Sequence, residues 1–506
     1  MAVKGVYSKA EERMIAEFEK KSAELTGWVG EMPSAEFAFP GHRVASKELI
    51  HHMATAADFK NPLYRDEQYA RNTRWGGIIA PPFYYHAILH GGRICFLTMP
   101  PEDGIVRSER VLMIQQGDFY QPIRPGDSFK IWLGPTKIID VTKSGENSLR
   151  QFKLVRVVSY INQRDEVVCS NTDTHFYTLY PPKKEAGAYM HFVMEKNEGE
   201  KGDDKPMSYT KELSYTKEEI ETIDRLYAHE QRRGGEIRYW EDVQVGEELP
   251  SIVMGPLTAW DTVVAMQGFG AGSVTMNDLR TIGADTVLVD PRTNIPHQDI
   301  ELHLLDNMAQ LVSSYSTTLL GPPILHFFSR LVTNWAGDDG FVRRLTWTKL
   351  ANTPMGDTIF GRGRVTRKYV ENGEYLVDVD VWMESNRGFI SNVGPATVSL
   401  FSREKIFSKN EPPKFKAAAL TGPYEYDSGS HGQNVEAQLL AGDRIRIMDR
   451  PGWPMPGGYK LANRTGTIYQ VVDSPEGYVL VQLDEDVTGI DTRVPLGFRT
   501  EALEKI

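Results

Sequence analysis

The chain has 506 residues, of which 41% are hydrophobic and 25% charged, and its formal net charge is −11 at pH 7. A chain of this length predicts about two to four domains rather than one hydrophobic core. The acidic balance argues against a nucleic-acid partner, because a phosphate backbone requires a basic protein face.

Cysteine content and hydropathy indicate the compartment of the protein and its relation to membranes. The two cysteines, Cys95 and Cys169, exclude a disulfide framework and a cysteine-based zinc site, and they are typical of a reducing compartment. The first residues contain no apolar stretch of signal-peptide length, and no run reaches the roughly 18 apolar residues that span a membrane. We therefore expect a cytoplasmic protein with no membrane partner.

Two polar stretches divide the chain into three parts. Residues 183–207 and 404–435 have the composition of linkers, which predicts an N-terminal domain at 1–182, a second domain at 208–403 and a C-terminal module at 436–506. The module contains four or five short strand patterns separated by Gly-Asp and Gly-Thr turns. That pattern predicts a small SH3-like β-barrel.

Three sequence patterns of the first domain recur in the second domain in the same order. They are GGIIAPPFYYHAIL at 76–89 with TTLLGPPILHFFSRL at 317–331, PIRPGDSFKI at 122–131 with NTPMGDTIFG at 352–361, and NPLYRDEQYA at 61–70 with NIPHQDIELH at 294–303. The second copies begin 241 (76 to 317), 230 (122 to 352) and 233 (61 to 294) residues later. This near-constant spacing indicates a duplication; the alternative is three unrelated Pro-Gly turns.

Both copies share one order of elements. A polar turn leads into a long apolar helix, predicted at 82–98 and at 323–336, and strands with alternating β-branched and aromatic residues follow. A helix followed by an antiparallel meander predicts an α+β unit in which a curved sheet wraps around the helix. Two such units on one chain would pack as an internal pseudo-dimer.

Three stretches carry a resemblance to a known family: NPLYRDEQYARNTRWGGIIAPP at 61–82, RYWEDVQVGEELPSIVMGPLT at 238–258 and LVTNWAGDDGFVRRLTWTKLANTPMGDTIFGRGRV at 331–365. They resemble the MaoC-like dehydratases, and the resemblance covers about residues 30–180 and 209–402. It implies a double hotdog fold of two α+β units, followed here by the C-terminal barrel. It also implies a hydratase or dehydratase that acts on acyl thioesters, usually of coenzyme A, without a metal or redox cofactor.

In the first copy, the resemblance places the catalytic aspartate of the family motif GDxNPxH at Asp58 and its asparagine at Asn61, with one extra residue between them. Tyr64 stands where the family has its histidine. A phenol is a poor base at neutral pH, but it can hydrogen-bond a water molecule or act as an acid. Asp58 could serve as the base alone if burial raises its pKa. The alternative is that Asp58 and Asn61 only cap a turn.

In the second copy, His297 and Asp299 have the spacing of the family's NPxHxD, and we expect them to be catalytic there. The position of the family's acid is occupied by Arg292. The alternative is a histidine that serves only a structural hydrogen bond.

The start of each central helix is expected to bind the thioester carbonyl, because unpaired N–H groups and the positive end of the dipole point outward there. His86 is expected to be a buried core residue, with contact to substrate as the alternative. Arg343 and Arg344 could meet the phosphates of coenzyme A or simply face solvent. The expected substrate-binding residues are Asn61, Ile79, Ala80, His86, Leu320, Gly321, Arg343 and Arg344.

These residues lead to one expected function and two alternatives. We expect a hydro-lyase that adds water to an enoyl-CoA or removes it from the 3-hydroxyacyl product, and that forms a homo-oligomer. Coenzyme A is then part of the substrate, and no cofactor or metal is expected. The alternatives are a non-catalytic protein that binds acyl-CoA or serves in assembly, and a hotdog thioesterase that directs water to the carbonyl carbon.

Overall fold

A computed structural model describes most of the chain. The described residues are 4–30, 42–88, 107–142, 149–180, 214–268, 276, 287–290, 293–311, 317–404, 439–472, 475–487, 490 and 494–506. The predicted linker at 183–207, and that at 404–435 apart from Glu404, lie outside these ranges, as does Cys95. The predicted domain boundaries and the homo-oligomer remain predictions.

The described helices are short except for the first and the last. They are α1 (Lys9–Leu25), α2 (Lys47–Ala57), α3 (Glu67–Arg71), α4 (Tyr85–Ile88), α5 (Lys217–Ala228), α6 (Ala259–Gly268), α7 (Asp306–Leu311) and α8 (Gly321–Ala336). Within the described ranges, every helix is too short or too polar to cross a membrane.

Most of the strands belong to two consecutive sets. The first set is β1 (Val29–Gly30), β2 (Arg107–Phe119), β3 (Phe129–Asp140), β4 (Arg150–Asn162) and β5 (Val167–Tyr180). The second is β6 (Ile252–Met254), β9 (Phe341–Lys349), β10 (Ile359–Glu371), β11 (Glu374–Ser385) and β12 (Ile390–Leu400). A small hairpin, β7 (Val287–Val289) and β8 (Pro296–Gln298), lies between β6 and β9.

The two sets form one antiparallel sheet with a mirror-symmetric strand order, β1-β3-β4-β5-β2-β9-β12-β11-β10-β6. The seam is the pairing of β2 with β9, where Ile114 lies opposite Thr348 and Asp118 opposite Arg344. Each half therefore repeats the topology of the other about the seam. This is the double hotdog architecture that the sequence predicted, with mixed α and β elements in each half.

Local turn chemistry explains how neighbouring long strands are joined. The hairpin between β10 and β11 turns at Asn372 and Gly373, whose φ angles are 52° and 78°, and Glu371 pairs with Glu374 across it. Positive φ at both central residues is the geometry of a type I′ turn, which matches the twist of the flanking strands. Asn372 and Gly373 therefore form this hairpin turn through local conformation alone.

The central helix of the second half, α8, follows its prediction closely. It begins at Gly321, two residues before the predicted start, and ends at Ala336 as predicted. Its buried side chains lie on nearly all sides of the helix, and they include Ile324, Leu325, Phe328, Leu331, Val332 and Trp335. The helix packs against the second half of the sheet and against α2, within the largest core cluster.

The central segment of the first half departs from its prediction. The helix was expected from residue 82, but α4 begins at Tyr85, and residues 89–98 lie outside the described part of the chain. Phe83 has a φ of 65°, a left-handed conformation that interrupts a right-handed helix. The first three residues after Pro81 therefore form a turn, with the Tyr84 N–H bonded to the Pro81 carbonyl at 3.2 Å.

The C-terminal residues add five short strands. They are β13 (Arg444–Ile447), β14 (Thr465–Val471), β15 (Tyr478–Leu483), β16 (Leu496–Arg499) and β17 (Leu503–Lys505), in the order β16-β15-β14-β13-β17. Strand β16 joins the large sheet where Gly497 pairs with Ile390 of β12. The strands share a buried hydrophobic cluster with Ile223, Val253, Phe360 and Phe389 of the second half, and the SH3-like barrel stays a prediction.

Candidate active site

The first copy of the repeat places a buried acid and amide at the end of α2. Asp58 is the C-cap of α2, and Asn61 starts the 3₁₀ turn Pro62–Tyr64. The Asn61 Nδ2 donates to Asp58 Oδ2 at 2.9 Å, and its Oδ1 accepts the Leu63 N–H at 3.0 Å. Asp58 is 6% exposed and Asn61 2%. Asn61 therefore caps the turn and also binds Asp58, and the catalytic role of Asp58 stays a prediction.

The pKa of Asp58 is raised above its usual value, and burial is the main cause. The hydrogen bond from Asn61 and the charges of Arg330 and Arg232 lower the pKa, while the charge of Glu230 raises it. A raised pKa makes the ionised carboxylate a stronger proton acceptor, which suits a general base.

Tyr64 is buried beside this pair. Burial raises the pKa of its hydroxyl well above the ordinary value, and the neighbouring Asp58 raises it further. The hydroxyl is therefore protonated at neutral pH and can donate a hydrogen bond, but it cannot act as a base.

A narrow cavity of about 50 Å³ lies where the two copies meet. The first copy contributes the predicted residues Asn61, Tyr64, Ile79 and Ala80, and the second contributes the stretch around Asp338. The other lining residues are Leu63, Pro81, Pro82, Phe83, Tyr84, Tyr85, Phe119, Gln121, Pro122, Ile123, Cys169, Thr333, Gly337, Gly340, Phe341 and Val342. This volume holds a few water molecules, at about 10–15 Å³ each by the same measure, rather than an acyl chain.

Three residues at this cavity offer no free backbone N–H group. The Ala80 N–H already donates to the Ile123 carbonyl at 2.8 Å, and Pro81 and Pro82 have no N–H group. The Ala80 N–H is therefore engaged within the protein, and binding of a thioester carbonyl at the start of the central segment stays a prediction. The side chains of Asn61 and Tyr64 remain as polar groups that line the cavity.

In the second copy, His297 does not lie at the start of the central helix. It belongs to strand β8, opposite Leu288, and its Nδ1 lies 2.7 Å from Glu301 Oε2. Within the described part of the chain, no hydrogen bond or ion pair joins it to Leu320 or Gly321. Asp299 begins the 3₁₀ segment Asp299–His303, and its side chain lies outside the described part.

The structure gives a different register for this repeat. Tyr64 ends a 3₁₀ turn three residues before the first residue of α3, and His303 ends a 3₁₀ segment three residues before the first residue of α7. Six residues after each of them stands a fully buried alanine, Ala70 and Ala309. The offset is 239 residues (64 to 303), which is close to the offset of 241 residues between the repeats at 76–89 and 317–331. The pairing of 61–70 with 294–303 is therefore six residues out of register.

His303 is the residue that the sequence comparison missed. Its Nδ1 lies 2.7 Å from the Thr318 carbonyl oxygen, two residues before Leu320, which caps α8. Burial lowers its pKa to about 4, so the ring is neutral at pH 7. Because a carbonyl only accepts, Nδ1 carries the proton and Nε2 is left as an acceptor. A constant repeat offset and the alanine six residues later would have identified it.

His86 is buried, as expected. Its ring lies 5.7 Å from that of His326 on α8, measured between ring centroids, and Phe83 contacts both rings. Burial lowers the pKa of His326 to about 3. His86 does not line the cavity described above, so its role is in the contact between the two central segments.

Arg343 and Arg344 lie near the seam between the halves. The Arg344 Nε lies 2.6 Å from Asp118 Oδ1, and the Arg343 Nη1 donates to the Phe119 carbonyl at 2.7 Å. Arg343 also lies 3.1 Å from Glu374. These partners give both side chains a role in joining β2 to its neighbours, and contact with coenzyme A phosphates stays a prediction. No three His, Cys, Asp or Glu side chains of the described residues are grouped to hold a metal ion.

The mirror-ordered sheet, with a central segment in each half, defines a double hotdog protein. Residues 34–171 match the family model described as FAS1-like, dehydratase domain region. The resemblance to MaoC-like dehydratases that the sequence indicated is thereby confirmed in the first half of the chain.

Three solved structures are similar over most of the chain. A MaoC-like dehydratase is 16% identical, with 75% of this chain and 99% of that one covered and a TM-score of 0.48. A MaoC domain dehydratase from Chloroflexus aurantiacus is 12% identical (75% and 96% covered, TM-score 0.44). A double hotdog protein from Mycobacterium tuberculosis is 9% identical (75% and 97% covered, TM-score 0.38). No curated protein matched the sequence.

Proposed function

We propose that the protein is a hydratase or dehydratase that adds water to the α,β-double bond of an enoyl thioester of coenzyme A, or removes water from the 3-hydroxyacyl product. One observation carries the proposal. Asp58, Asn61 and Tyr64 are buried together beside a water-sized cavity between the two copies. They lie within the range that matches the dehydratase region.

The three side chains have chemically distinct roles in this proposal. Asp58 accepts a proton from water as the water oxygen bonds to the β-carbon, and it then delivers that proton to the α-carbon. The raised pKa of Asp58 supports this role, because the group must both take up and release a proton. Tyr64 donates a hydrogen bond from its protonated hydroxyl to the water or to the thioester oxygen.

Binding of substrate has to widen the cavity, because about 50 Å³ does not hold an acyl chain. Asn61 lines the cavity, and Asp58 lies behind it, hydrogen-bonded to the Asn61 amide. We expect the widening to expose the Asp58 carboxyl to the bound water. The coenzyme is bound as part of the substrate, and we propose no other cofactor.

A second catalytic centre of the same kind is favoured at His303 rather than at His297. The His303 ring is hydrogen-bonded to the backbone that leads into α8, and its second nitrogen is a neutral acceptor. His297, by contrast, lies on strand β8 and pairs with Glu301. Activity of the second copy would depend on His303.

The test is an ultraviolet assay for loss of the enoyl-CoA chromophore over a series of acyl chain lengths. We expect turnover in the wild type, a loss of about 10²- to 10⁴-fold in Asp58→Asn if the first copy acts, and a similar loss in His303→Gln if the second does. His297→Gln is the matched control.

The same assay separates the alternatives. Release of free thiol without hydration would identify a thioesterase. Binding of enoyl-CoA without loss of the chromophore, for every chain length, would contradict the proposal and leave the non-catalytic binding protein.

A further inference from the structure

We propose that Arg232 and Asp338, both from the second half of the chain, hold the Asn61 amide in the orientation that binds Asp58, and so position the acid of the first copy. This inference rests on the proposed function, because it gives Arg232 a role through Asp58. It makes the first copy's centre dependent on residues of the second.

Arg232 contacts residues of both halves of the chain. It lies in the stretch that follows α5, where its Nη2 donates to Asn61 Oδ1 at 2.6 Å and to Asp338 Oδ1 at 2.6 Å. Its Nη1 donates to the Lys60 carbonyl at 3.3 Å. The guanidinium therefore contacts both the backbone and the side chain of the turn that carries Asn61.

The direction of these bonds fixes which end of the amide faces Asp58. An arginine has only donors, so it selects the amide oxygen of Asn61 and leaves the NH₂ group to point the other way. That NH₂ group donates to Asp58 Oδ2 at 2.9 Å. The Leu63 N–H supports the same orientation, because it also donates to the amide oxygen.

Asp338 is held in place by several contacts besides the one with Arg232. Its N–H donates to the Gly234 carbonyl at 2.8 Å, and its own carbonyl accepts the Trp75 indole N–H at 2.7 Å. Its Oδ2 accepts the Tyr69 hydroxyl, which leaves Oδ1 for Arg232. The Asp338 side chain is 3% exposed and, like Asn61, lines the cavity. A carboxylate held from several sides in this way provides a rigid anchor for the guanidinium.

Gly337 explains how Asp338 reaches this position. It ends α8 with a φ of 80°, and a Cβ there would lie 3.0 Å from the Glu236 carbonyl oxygen and 3.1 Å from that of Gly234. Only glycine fits both the left-handed conformation and this close approach. The chain thus turns directly from the second central helix toward the first copy.

The charges that act on Asp58 come from two elements. Arg330 projects from α8, and Glu230 and Arg232 come from the stretch after α5. Arg330 is tied to Glu230 at 3.4 Å and to the Val253 carbonyl at 2.8 Å, so it stays in place when Arg232 is changed. Loss of the Arg232 charge therefore removes a group that lowers the pKa of Asp58, and the pKa rises.

The experiment compares Arg232→Gln, Arg232→Lys and the control Arg233→Gln in the enoyl-CoA assay as a function of pH. Arg233 is the adjacent arginine, and its side chain pairs instead with the exposed Glu236. For Arg232→Gln we expect kcat to fall about 10-fold with little change in KM, and the acidic limb of the pH profile to move to higher pH. Lysine should restore the position of that limb, because it restores the charge.

Two outcomes would overturn the inference: an unchanged pH profile in Arg232→Gln, or an equal shift in Arg233→Gln. A folding defect is recognised by comparing thermal unfolding of the variants, and Arg232→Lys keeps the test valid if the glutamine variant unfolds. If Asp58→Asn abolishes turnover but Arg232→Gln behaves as wild type, this inference fails and the proposed function stands.

If no enoyl-CoA is turned over, the proposed function fails. Whether Arg232 orients Asn61 can then still be tested by a measurement that does not depend on enzyme activity. Crystal structures of Arg232→Gln and Arg233→Gln at one pH should then show the bond between Asn61 Nδ2 and Asp58 lost only in the first variant. The bond retained in both would contradict the inference.

Discussion

Tyr64 and His303 occupy the same place in the two halves of the molecule, each at the end of a 3₁₀ segment and three residues before a short helix. Tyr64 is buried and His303 is partly buried, and burial shifts the pKa of each so that both side chains are uncharged at neutral pH. The difference is chemical: a protonated phenol can donate a hydrogen bond to a substrate but is no base, whereas His303, bonded to Thr318 through Nδ1, offers a basic acceptor nitrogen. The duplication has therefore produced two positions of unequal chemistry within one fold.

The stability of the wild type should fall as pH rises through the pKa of Asp58, and Asp58→Asn should remove this dependence. Because burial raises the folded-state pKa above that of the unfolded chain, the carboxyl stabilises the fold fully below its unfolded pKa and loses that contribution as it ionises in the folded state. Thermal unfolding measured from acidic to alkaline pH checks this. An Asp58→Asn curve parallel to that of the wild type throughout would contradict it.

Leu325→Ala should destabilise the protein by about 2–5 kcal/mol, because Leu325 lies on α8 and is fully buried in the main core. Leu440→Ala, at a leucine that is 54% exposed, should change the free energy of unfolding by no more than about 0.5 kcal/mol. Urea denaturation of both variants measures the difference. Equal costs at the two positions would place α8 outside the core.

Arg450→Met should weaken the attachment of the C-terminal strands to the sheet. Arg450 bonds both carboxylate oxygens of Glu384, a β11 side chain that is 2% exposed and also lies 2.8 Å from Arg362. Loss of one of two partners of a buried carboxylate should cost about 1–3 kcal/mol. Limited proteolysis should then cleave the C-terminal part faster.

The control for this change is Arg446→Met. Arg446 pairs with Glu504 at 3.0 Å, and both side chains are about half exposed, so the change should be nearly neutral. Faster cleavage of Arg446→Met than of Arg450→Met would contradict the role given to Glu384.

The sequence predicted the parts of the molecule that depend on local pattern. The bounds of α8 and the Asn372–Gly373 hairpin follow from apolar spacing and from turn residues, both of which act over a few positions. The left-handed Phe83 was not predictable in this way, because nothing in its side chain favours a positive φ. It is the surrounding packing that fixes this residue.

The candidate site was only half predictable, for the same reason. Asp58 and Asn61 were found because they lie in one short motif and bond to each other. His303 was missed because Asn294–Pro296 imitates that motif six residues too early, and only the 3₁₀ segments show the true register. Arg232 belongs to no motif, and its contact with Asn61 joins positions 171 residues apart.

Replacement of Tyr64 by histidine or by phenylalanine tests what the hydroxyl does. Phenylalanine removes the donor from the cavity wall, and we expect a loss in kcat/KM of about 10²-fold or more. A histidine at this position should be neutral, because burial of the kind that lowers the pKa of His303 to about 4 applies here too. A neutral imidazole still carries one N–H, so Tyr64→His should retain more activity than Tyr64→Phe. Enoyl-CoA hydration kinetics measure both variants, and equal activity of the two would show that no hydrogen bond from this position contributes to the reaction.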